Sequence, residues 1–264
     1  MRKFALDLEV AEVEHLRRDY AVLKLMLPPC PEGVRWTDIR PGQFVEVLAD
    51  KSPSTFLRRP ISVNYVDEVA GQLWLLVHAV GEGTKRLCAL KPRESVSCVF
   101  PLGKGFTVPS EQGRRLLLVG GGVGTAPLLY FGRILREAGC EPVFLLGGRS
   151  AFDLLQLDLF ARWGEVHTTT EDGTAGEKGF VTAHSVWDAS RFDGVATCGP
   201  LPMMKAVARM AHDRGYACEA SLENLMACGL GACLCCVEKN SEGHNVCVCK
   251  DGPVFNINQL SWLH

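Results

Sequence analysis

Short apolar runs separated by glycine and proline turns fill the first hundred residues. The runs at 43–48, 72–78 and 95–100 either alternate apolar with polar residues or are nearly continuously apolar. Runs of this length between turn residues predict β-strands. Several short strands in succession are typical of a small antiparallel barrel. We therefore expect an antiparallel β-barrel domain over residues 1–101.

Strand-like runs alternate with helical patterns from residue 102 onward. The apolar run 116–119 precedes a glycine-rich turn, and apolar positions then recur at helical spacing from Leu128 to Ala138. Alternation of this kind predicts a parallel sheet covered by helices, so we expect an α/β domain over residues 102–218. The further predicted strands are 142–147, 165–170 and 192–198, and the further predicted helices are 153–163 and a segment that carries Met204, Val207, Ala208 and Ala211.

The glycine-rich turn between strand and helix is a candidate nucleotide site. It contains Gly122, Gly124 and Thr125, and Pro127 follows in the first helical turn, where its missing N–H costs little. Glycines allow the backbone to approach a pyrophosphate, and a helix N-terminus favours negative charge. A glycine-rich turn alone is weak evidence, but its position favours nucleotide binding.

Cysteines concentrate near the C-terminus. Cys228, Cys233 and Cys236 have the C-x4-C-x2-C spacing that is typical of plant-type [2Fe–2S] proteins, and either Cys247 or Cys249 would supply a fourth thiolate. A structural zinc site, or disulfides and unrelated thiols, are the alternatives. Residues 219–264 are too few for a sizeable core, so we expect bound metal to supply much of the folding free energy of this third domain.

Composition narrows the classes of function. The chain has 264 residues, 47% of them hydrophobic and 22% charged, with a formal net charge of −2. These values are typical of a globular protein and argue against a nucleic-acid surface. We find no signal-like N-terminus and no apolar run of transmembrane length, so we expect a cytoplasmic protein. Six scattered cysteines are expected mostly as buried small side chains: Cys30, Cys88, Cys98, Cys140, Cys198 and Cys218.

Two segments of the β-rich region could bind an anion. In the segment Arg59-Pro60-Ile61-Ser62, Pro60 biases Arg59 toward an extended backbone, from which its guanidinium can reach a phosphate. Ser62 can offer a hydroxyl or an amide to a ring heteroatom. The segment with Gly83 and Thr84 opens a helix-like stretch with free N–H groups. A surface arginine at a strand end and a turn capped by Thr84 are the ordinary alternatives.

These segments and the later Pro101-Leu102-Gly103 resemble the ferredoxin reductase family of FAD-binding barrels. The G-x-G-x-x-P turn resembles the pyridine-nucleotide module of the same family, in which a turn like Cys198-Gly199-Pro200 lies beside the nicotinamide. Cys198 itself is expected to be structural. The resemblance implies that the flavin contacts Arg59, Pro60, Ile61 and Ser62, that its pyrophosphate contacts Gly83 and Thr84, and that Leu76, Val77 and His78 run along it.

The order of the three domains, with the segments Met226–Cys233 and Cys249–Phe255, resembles the electron-transfer subunits of dihydroorotate dehydrogenase B. This resemblance selects Cys249 over Cys247 as the fourth ligand. It implies FAD, a [2Fe–2S] cluster and NAD as acceptor, although Arg149 could also read the 2′-phosphate of NADP. No acid–base residue is expected to be essential, and Ser62 is the best candidate for tuning the flavin.

The same resemblance implies a partner. Dihydroorotate would be oxidised at FMN in a separate catalytic subunit, and two subunits of each kind would form a heterotetramer. FAD must lie between the other two carriers, because a nicotinamide exchanges a hydride whereas a [2Fe–2S] cluster exchanges single electrons. The alternatives are a related reductase subunit that serves ferredoxin or another redox partner, and a non-enzymatic nucleotide-binding regulator with structural zinc.

Overall fold

A closed six-stranded antiparallel barrel forms the first part of the molecule, as the strand pattern predicts. The computed structural model describes residues 2–50 and 55–263. Each barrel strand hydrogen-bonds to its neighbours in the spatial order β1-β2-β5-β4-β3-β6. The strands are β1 (Phe4–Arg17), β2 (Tyr20–Met26), β3 (Phe44–Val47), β4 (Arg59–Asp67), β5 (Gln72–His78) and β6 (Ser95–Leu102).

Side-chain alternation along β3 decides which residues fill the barrel. Val45 and Val47 point inward and are fully buried in the barrel core. Phe44 belongs instead to a second apolar core outside the barrel. Because strand residues two apart share a face, Glu46 also points outward, and it is nevertheless buried.

A mostly parallel seven-stranded sheet forms the second part, and its order β10-β9-β8-β7-β11-β12-β15 reverses beside β7. Ligands of open α/β sheets bind outside the carboxyl ends of the strands at such a reversal. Its strands are β7 (Arg115–Gly121), β8 (Glu141–Gly148), β9 (Glu165–Thr170), β10 (Glu177–Lys178), β11 (Gly194–Cys198), β12 (Cys218–Ser221) and β15 (Val254–Asn256); β13 (Val237–Lys239) and β14 (Asn245–Cys247) form a separate hairpin.

The helices agree with the apolar periodicity except in one segment. The helix predicted from Leu128 is confirmed; it begins at Ala126, and Gly139 follows its end with a φ of 78°. Within the described residues, none of the helices is both long and apolar enough to span a membrane. They are α1 (Glu82–Cys88), α2 (Ala126–Glu137), α3 (Leu157–Ala161), α4 (Val186–Ala189), α5 (Leu201–Asp213) and α6 (Val248–Asp251).

The helix predicted over residues 153–163 is wrong in its extent. A 3-10 turn covers Ala151–Asp153, and only the five residues of α3 are α-helical. Gln156 precedes α3 with a φ of 55°, and its amide exchanges two hydrogen bonds of 3.0 and 3.1 Å with the Asn64 side chain of the barrel. A contact between the barrel and the sheet thus replaces a helical turn.

The C-terminal segment is attached to the sheet at both ends. β12 pairs in parallel with β11, and β15 returns to pair antiparallel with β12. The expected boundary at residues 218 and 219 therefore falls within β12. Met226, Cys236 and Cys249 belong to the same apolar core as residues of β7 and α5. Burial in this large core therefore stabilises the segment, in addition to any stabilisation by a bound metal.

Candidate cofactor and cluster site

A cleft of about 820 Å³ lies between the barrel and the carboxyl ends of the parallel strands. Tyr20 and His78 form its wall on the barrel side, and the glycine-rich turn after β7 forms the opposite wall. The Tyr20 and His78 rings are stacked, with centroids 4.2 Å apart. The cleft lies at the reversal of strand order, where the α/β fold places nucleotides.

The three predicted residues of the glycine-rich turn have different structural roles. Gly122 faces open space with a φ of 57°, so its backbone is available to a ligand. A Cβ on Gly124 would lie 2.4 Å from the Cα of Gly199, which shows that Gly124 is needed for chain packing. The Thr125 hydroxyl donates a 2.9 Å hydrogen bond to the Gly122 carbonyl and so holds the turn closed.

The two predicted anion-binding segments of the barrel meet in space. The Nε of Arg59 lies 2.9 Å from the position that a Cβ on Gly83 would occupy, so glycine makes room for the guanidinium at the first turn of α1. The interpretation of Thr84 as the helix cap is wrong, because Gly81 is the N-cap and Thr84 lies at the third helical position. The Thr84 hydroxyl accepts the Gly81 N–H at 3.1 Å.

The remaining predicted flavin contacts differ in exposure. Pro60, Ile61 and Ser62 on β4 are half-buried and present an accessible surface. On β5, Leu76 and Val77 are buried in apolar clusters, so a cofactor in the cleft could touch only their backbone. The side chain of His78 is half-buried and lines the cleft.

Charged groups in the cleft are mostly acidic. Arg149 is the basic residue of its lining, and Asp19, Asp153, Glu171 and Glu223 are acidic. The Glu223 side chain is exposed to the cleft, but desolvation by the surrounding protein still raises the pKa of its carboxyl. Our sequence reasoning missed Tyr20 and Glu223; the position of Glu223 two residues after the parallel strand β12 is the signal that could have indicated it.

The cysteine loop holds its thiols in two pairs. The Cys228 thiol interacts with Cys233, and the Cys249 thiol with Cys236. Backbone amides also point at sulfur: the Gly231 N–H donates to the Cys249 Sγ at 3.1 Å, and the Cys249 N–H donates to the Cys236 Sγ at 3.4 Å. In residues 2–50 and 55–263, no three His, Cys, Asp or Glu side chains converge as ligands of one metal ion.

Two thiol pairs fit the needs of a [2Fe–2S] cluster, because four thiolates are shared between two irons. Gly229 and Gly231 have φ values of 64° and 82°, which let the loop turn its N–H groups toward sulfur. Burial raises the pKa of the Cys228 thiol, but hydrogen bonds from the backbone of Leu230 and from Cys233 outweigh it and lower that pKa to about 6. A thiolate is the form that binds metal.

The competing fourth ligand, Cys247, lies close to these thiols but is in neither pair: burial, the Cys236 thiol, the Asp251 carboxylate and the Cys228 thiol raise its pKa. Cys247 is half-buried at the end of β14, and its backbone N–H donates to the Asp251 carboxylate at 2.8 Å. Burial, together with the neighbouring Cys236 thiol, raises the pKa of Cys249 to about 12. Metal binding at Cys249 would release this proton.

Glu46 is a further residue that the sequence did not indicate. Its side chain is 1% exposed, and both carboxyl oxygens lack a hydrogen-bond partner within the part of the chain that the structure describes. The pKa of Glu46 is raised to about 7, mainly by burial; the guanidinium groups of Arg58 and Arg59 act against this rise, and the Cys228 thiol contributes to it. A Cβ on Gly229 would lie 2.8 Å from the Cγ of Glu46, so this carboxyl lies directly against the cysteine loop.

The scattered cysteines are mostly buried, as expected. Burial raises the pKa of Cys198, so its thiol stays protonated and is unsuited to act as a nucleophile. Cys30 is exposed and is the exception among the six. The buried members are Cys88, Cys98, Cys140, Cys198 and Cys218.

Comparisons with known proteins identify relatives over most of the chain. A family model described as the iron-sulfur cluster binding domain of dihydroorotate dehydrogenase B matches residues 223–261. The dihydroorotate dehydrogenase B (NAD(+)) electron transfer subunit of Shouchella clausii is 41% identical over 226 residues, covering 84% of this chain and 86% of that protein. The subunit of the same name from Fusobacterium nucleatum is 37% identical, covering 81% and 84%.

Solved structures with the same fold are named as reductases or oxidoreductases. A chain of the NADH-dependent reduced ferredoxin-NADP oxidoreductase superimposes with a TM-score of 0.83 at 29% identity and covers 98% of this chain and 91% of its own length. The ferredoxin reductase of carbazole 1,9a-dioxygenase superimposes with a TM-score of 0.65 at 22% identity, covering 82% and 67%. The second likeness shows the fold alone.

Proposed function

The chain belongs to the family of electron transfer subunits of dihydroorotate dehydrogenase B, and we propose that it passes electrons from a catalytic partner to NAD⁺. The observation that carries this proposal is the position of the cysteine loop, which packs through Gly229 against Glu46 of β3 in the barrel, next to the strand of Arg59 and Ser62. When bound, the [2Fe–2S] cluster and FAD would together convert single-electron transfer into hydride transfer to the nicotinamide.

Residues of the barrel would hold FAD. The guanidinium of Arg59 and the first-turn amides at Gly83 and Thr84 offer positive charge and N–H donors to the pyrophosphate. The half-buried surface of β4, with Ser62, offers a platform for the flavin ring. The backbone of Leu76 and Val77 and the ring of His78 would border the cofactor.

Residues of the cleft would hold NAD⁺. The backbone at Gly122 is free to approach the pyrophosphate, whereas Gly124 and Thr125 keep the turn in shape. We propose NAD rather than NADP, because the single guanidinium of Arg149 is outnumbered by the carboxylates of Asp153 and Glu171 in the same lining. The Asp153 carboxylate also accepts the Ser150 N–H at 2.9 Å, which removes a donor for a 2′-phosphate.

The partner in this proposal is the FMN-containing catalytic subunit, in a heterotetramer of two subunits of each kind. The names of the relatives support an electron-transfer subunit that acts with another chain and with NAD⁺. We place the complex in the cytoplasm, where thiols such as those of Cys228 and Cys249 stay reduced and can bind iron.

Co-expression with the catalytic subunit of the same organism tests the proposal. We expect a complex that contains iron, FAD and FMN and that reduces NAD⁺ with dihydroorotate. The catalytic subunit expressed alone is the control, and it should retain dihydroorotate oxidation with an artificial acceptor but lose NAD⁺ reduction. Failure of the two chains to associate, or NAD⁺ reduction by the catalytic subunit alone, would contradict the proposal.

The structural likeness favours one alternative. The NADH-dependent reduced ferredoxin-NADP oxidoreductase chain matches nearly the full length of this chain, so a reductase subunit that serves ferredoxin is the second candidate. Reduction of the purified FAD-loaded chain by NADH, followed by addition of ferredoxin or of the catalytic subunit, separates the two. Electron transfer to ferredoxin alone would favour the alternative.

A further inference from the structure

Glu46 lies at the junction between the flavin-binding strand and the cysteine loop. Its strand β3 pairs with β4, where Glu46 is opposite Pro60 of the predicted flavin segment. On its outer face, the Glu46 carboxyl lies against Gly229, with its Oε1 3.2 Å from the position of a Cβ there. The side chain of Glu46 therefore contacts the loop that begins at Cys228, while its backbone pairs with the predicted flavin-binding strand β4.

The nearest cations do not pair with this carboxyl. Arg58 donates to the carbonyl and hydroxyl oxygens of Ser97 at 2.7 and 3.0 Å, and it reaches only the backbone oxygen of Glu46, at 3.4 Å. Arg59 donates to the Leu57 carbonyl at 2.8 Å. Along the described ranges, Glu46 is in no ion pair.

A buried carboxylate without a cation or a hydrogen-bond donor is strongly disfavoured. A [2Fe–2S] cluster held by four thiolates carries net negative charge, so it would oppose ionisation of the neighbouring carboxyl. The neutral acid has an O–H donor that needs an acceptor, and sulfur of the cluster or of its thiolate ligands is the acceptor that the cysteine loop would bring to this side of β3.

We propose that the Glu46 carboxyl donates a hydrogen bond to the sulfur shell of the cluster and positions the cysteine loop against the flavin strand. This inference rests on the proposed [2Fe–2S] function and assigns Glu46 a role in it. Hydrogen bonds to the sulfurs are one of the main determinants of cluster potential, because they stabilise the more negative reduced form. The donor should therefore raise the potential of the cluster.

Substitutions at Glu46 in the intact complex test the donor. Glu46→Gln keeps the size and an N–H donor, whereas Glu46→Leu and Glu46→Met fill the volume without one. The backbone amides of Gly231 and Cys249 should give exchangeable-proton couplings to the reduced cluster in every variant. We expect the wild-type protein and Glu46→Gln to show one further exchangeable proton coupled to the cluster by electron-nuclear double resonance in H₂O and D₂O. Both apolar variants should lose this coupling, and their cluster potential should shift to a lower value.

Val45→Ala provides the matched control. It opens a cavity on the same strand, but Val45 faces the barrel core, so a purely structural effect of changing β3 should appear in its melting temperature and leave the proton coupling and the potential unchanged. If the apolar variants do not retain iron, retention by Glu46→Gln still supports a required donor.

Two results would overturn the inference. One is an unchanged coupling and potential in Glu46→Leu and Glu46→Met. The other is a Glu46→Gln protein that loses its cluster as completely as they do. If the wild-type complex contains no [2Fe–2S] signal at all, the proposed function has failed, and this outcome is distinct from a cluster that is indifferent to Glu46.

Discussion

The contact of Arg59 with the first turn of α1 leads to a prediction about FAD affinity. Removing the guanidinium in Arg59→Ala should raise the Kd for FAD about 10- to 100-fold, because a hydrogen bond to a charged group contributes about 1.5–3 kcal/mol. Flavin fluorescence during refilling of the apoprotein measures this Kd. Lys91→Ala removes an exposed positive charge elsewhere on the barrel and serves as control. Equal affinities in the two variants would contradict the role of Arg59.

The identity of the fourth cluster ligand is decided by a pair of serine substitutions. Cys249→Ser should lose most of the bound iron and the visible absorption of the cluster, because its sulfur lies with Cys236 and accepts the Gly231 N–H. Cys247→Ser should keep both, since Cys247 lies outside the two thiol pairs. Iron analysis and the absorption spectrum check the expectation, and the reverse pattern would assign the ligand to Cys247.

The sequence allows some of these residues to be found and hides others. Cys228, Cys233 and Cys236 stand out because their spacing is local, and the pairing of Arg59 with Gly83 follows from a pattern that known barrels share. Glu46 could not be found in this way, because the loop that covers it comes about 180 residues later in the chain. Glu46 is buried only because a distant part of the chain packs against it, and a single glutamate within a strand pattern does not indicate such burial.

The glycine-rich turn packs closely against the turn after β11, which leads to a prediction about adding one methyl group at Gly124. In Gly124→Ala, the added carbon would lie 2.4 Å from the Gly199 Cα and 2.5 Å from its amide nitrogen, both of which are backbone atoms that cannot move aside cheaply. We expect a lower melting temperature and weaker NADH binding, because both turns line the cleft. Differential scanning calorimetry and a binding titration measure the two effects.

Gly194→Ala is the matched control for this substitution. Gly194 lies at the start of β11, at an unrestricted φ, and its nearest neighbour to an added carbon is at 3.6 Å, an ordinary contact. We expect this variant to bind NADH like the wild type. Equal binding by Gly124→Ala would show that the two turns separate more easily than their packing indicates.

Elements with a continuous apolar pattern were predictable, and elements shaped by contacts between the two halves were not. α2 and α5 lie where their periodicity indicates, because α5 buries one face on the sheet and α2 is buried between the sheet and the barrel. The stretch 153–163 contains a helical pattern, yet the hydrogen bonds between Gln156 and Asn64 of the barrel interrupt it. The hydrogen-bond partner of Gln156 is 92 residues away, so no local rule could indicate the interruption.

The barrel and the parallel sheet share buried contacts, which leads to a prediction about unfolding. Tyr130 of α2 belongs to the barrel core and donates a 3.1 Å hydrogen bond to the Ile39 carbonyl. Arg133, one turn later, donates to the Val66 carbonyl at 2.7 Å. We expect one cooperative unfolding transition for the two halves, with coincident curves from tryptophan fluorescence and far-ultraviolet circular dichroism.

Tyr130→Phe tests the coupling because it removes the hydroxyl and keeps the ring. The loss of a buried hydrogen bond should cost about 1 kcal/mol of the free energy of unfolding, and the carbonyl of Ile39 should lose this partner. A single transition at lower temperature is expected. Two separated transitions in the wild-type protein would show that the halves unfold independently.

The return of the chain to the sheet through β15 has a consequence for the exchange of redox modules between proteins. A domain at the end of one linker can be exchanged at that linker. Here the cysteine segment is inserted between two paired strands, with Ala220 opposite Phe255, and its end also touches the barrel through the Lys104 N–H and the Gly252 carbonyl at 2.5 Å. A hybrid protein therefore needs one junction before β12 and one after β15, with the register between these two strands kept. A slip of one residue would turn every side chain of β15 to the opposite face of the sheet. Recombination would therefore transfer the cysteine segment together with its pair of strands.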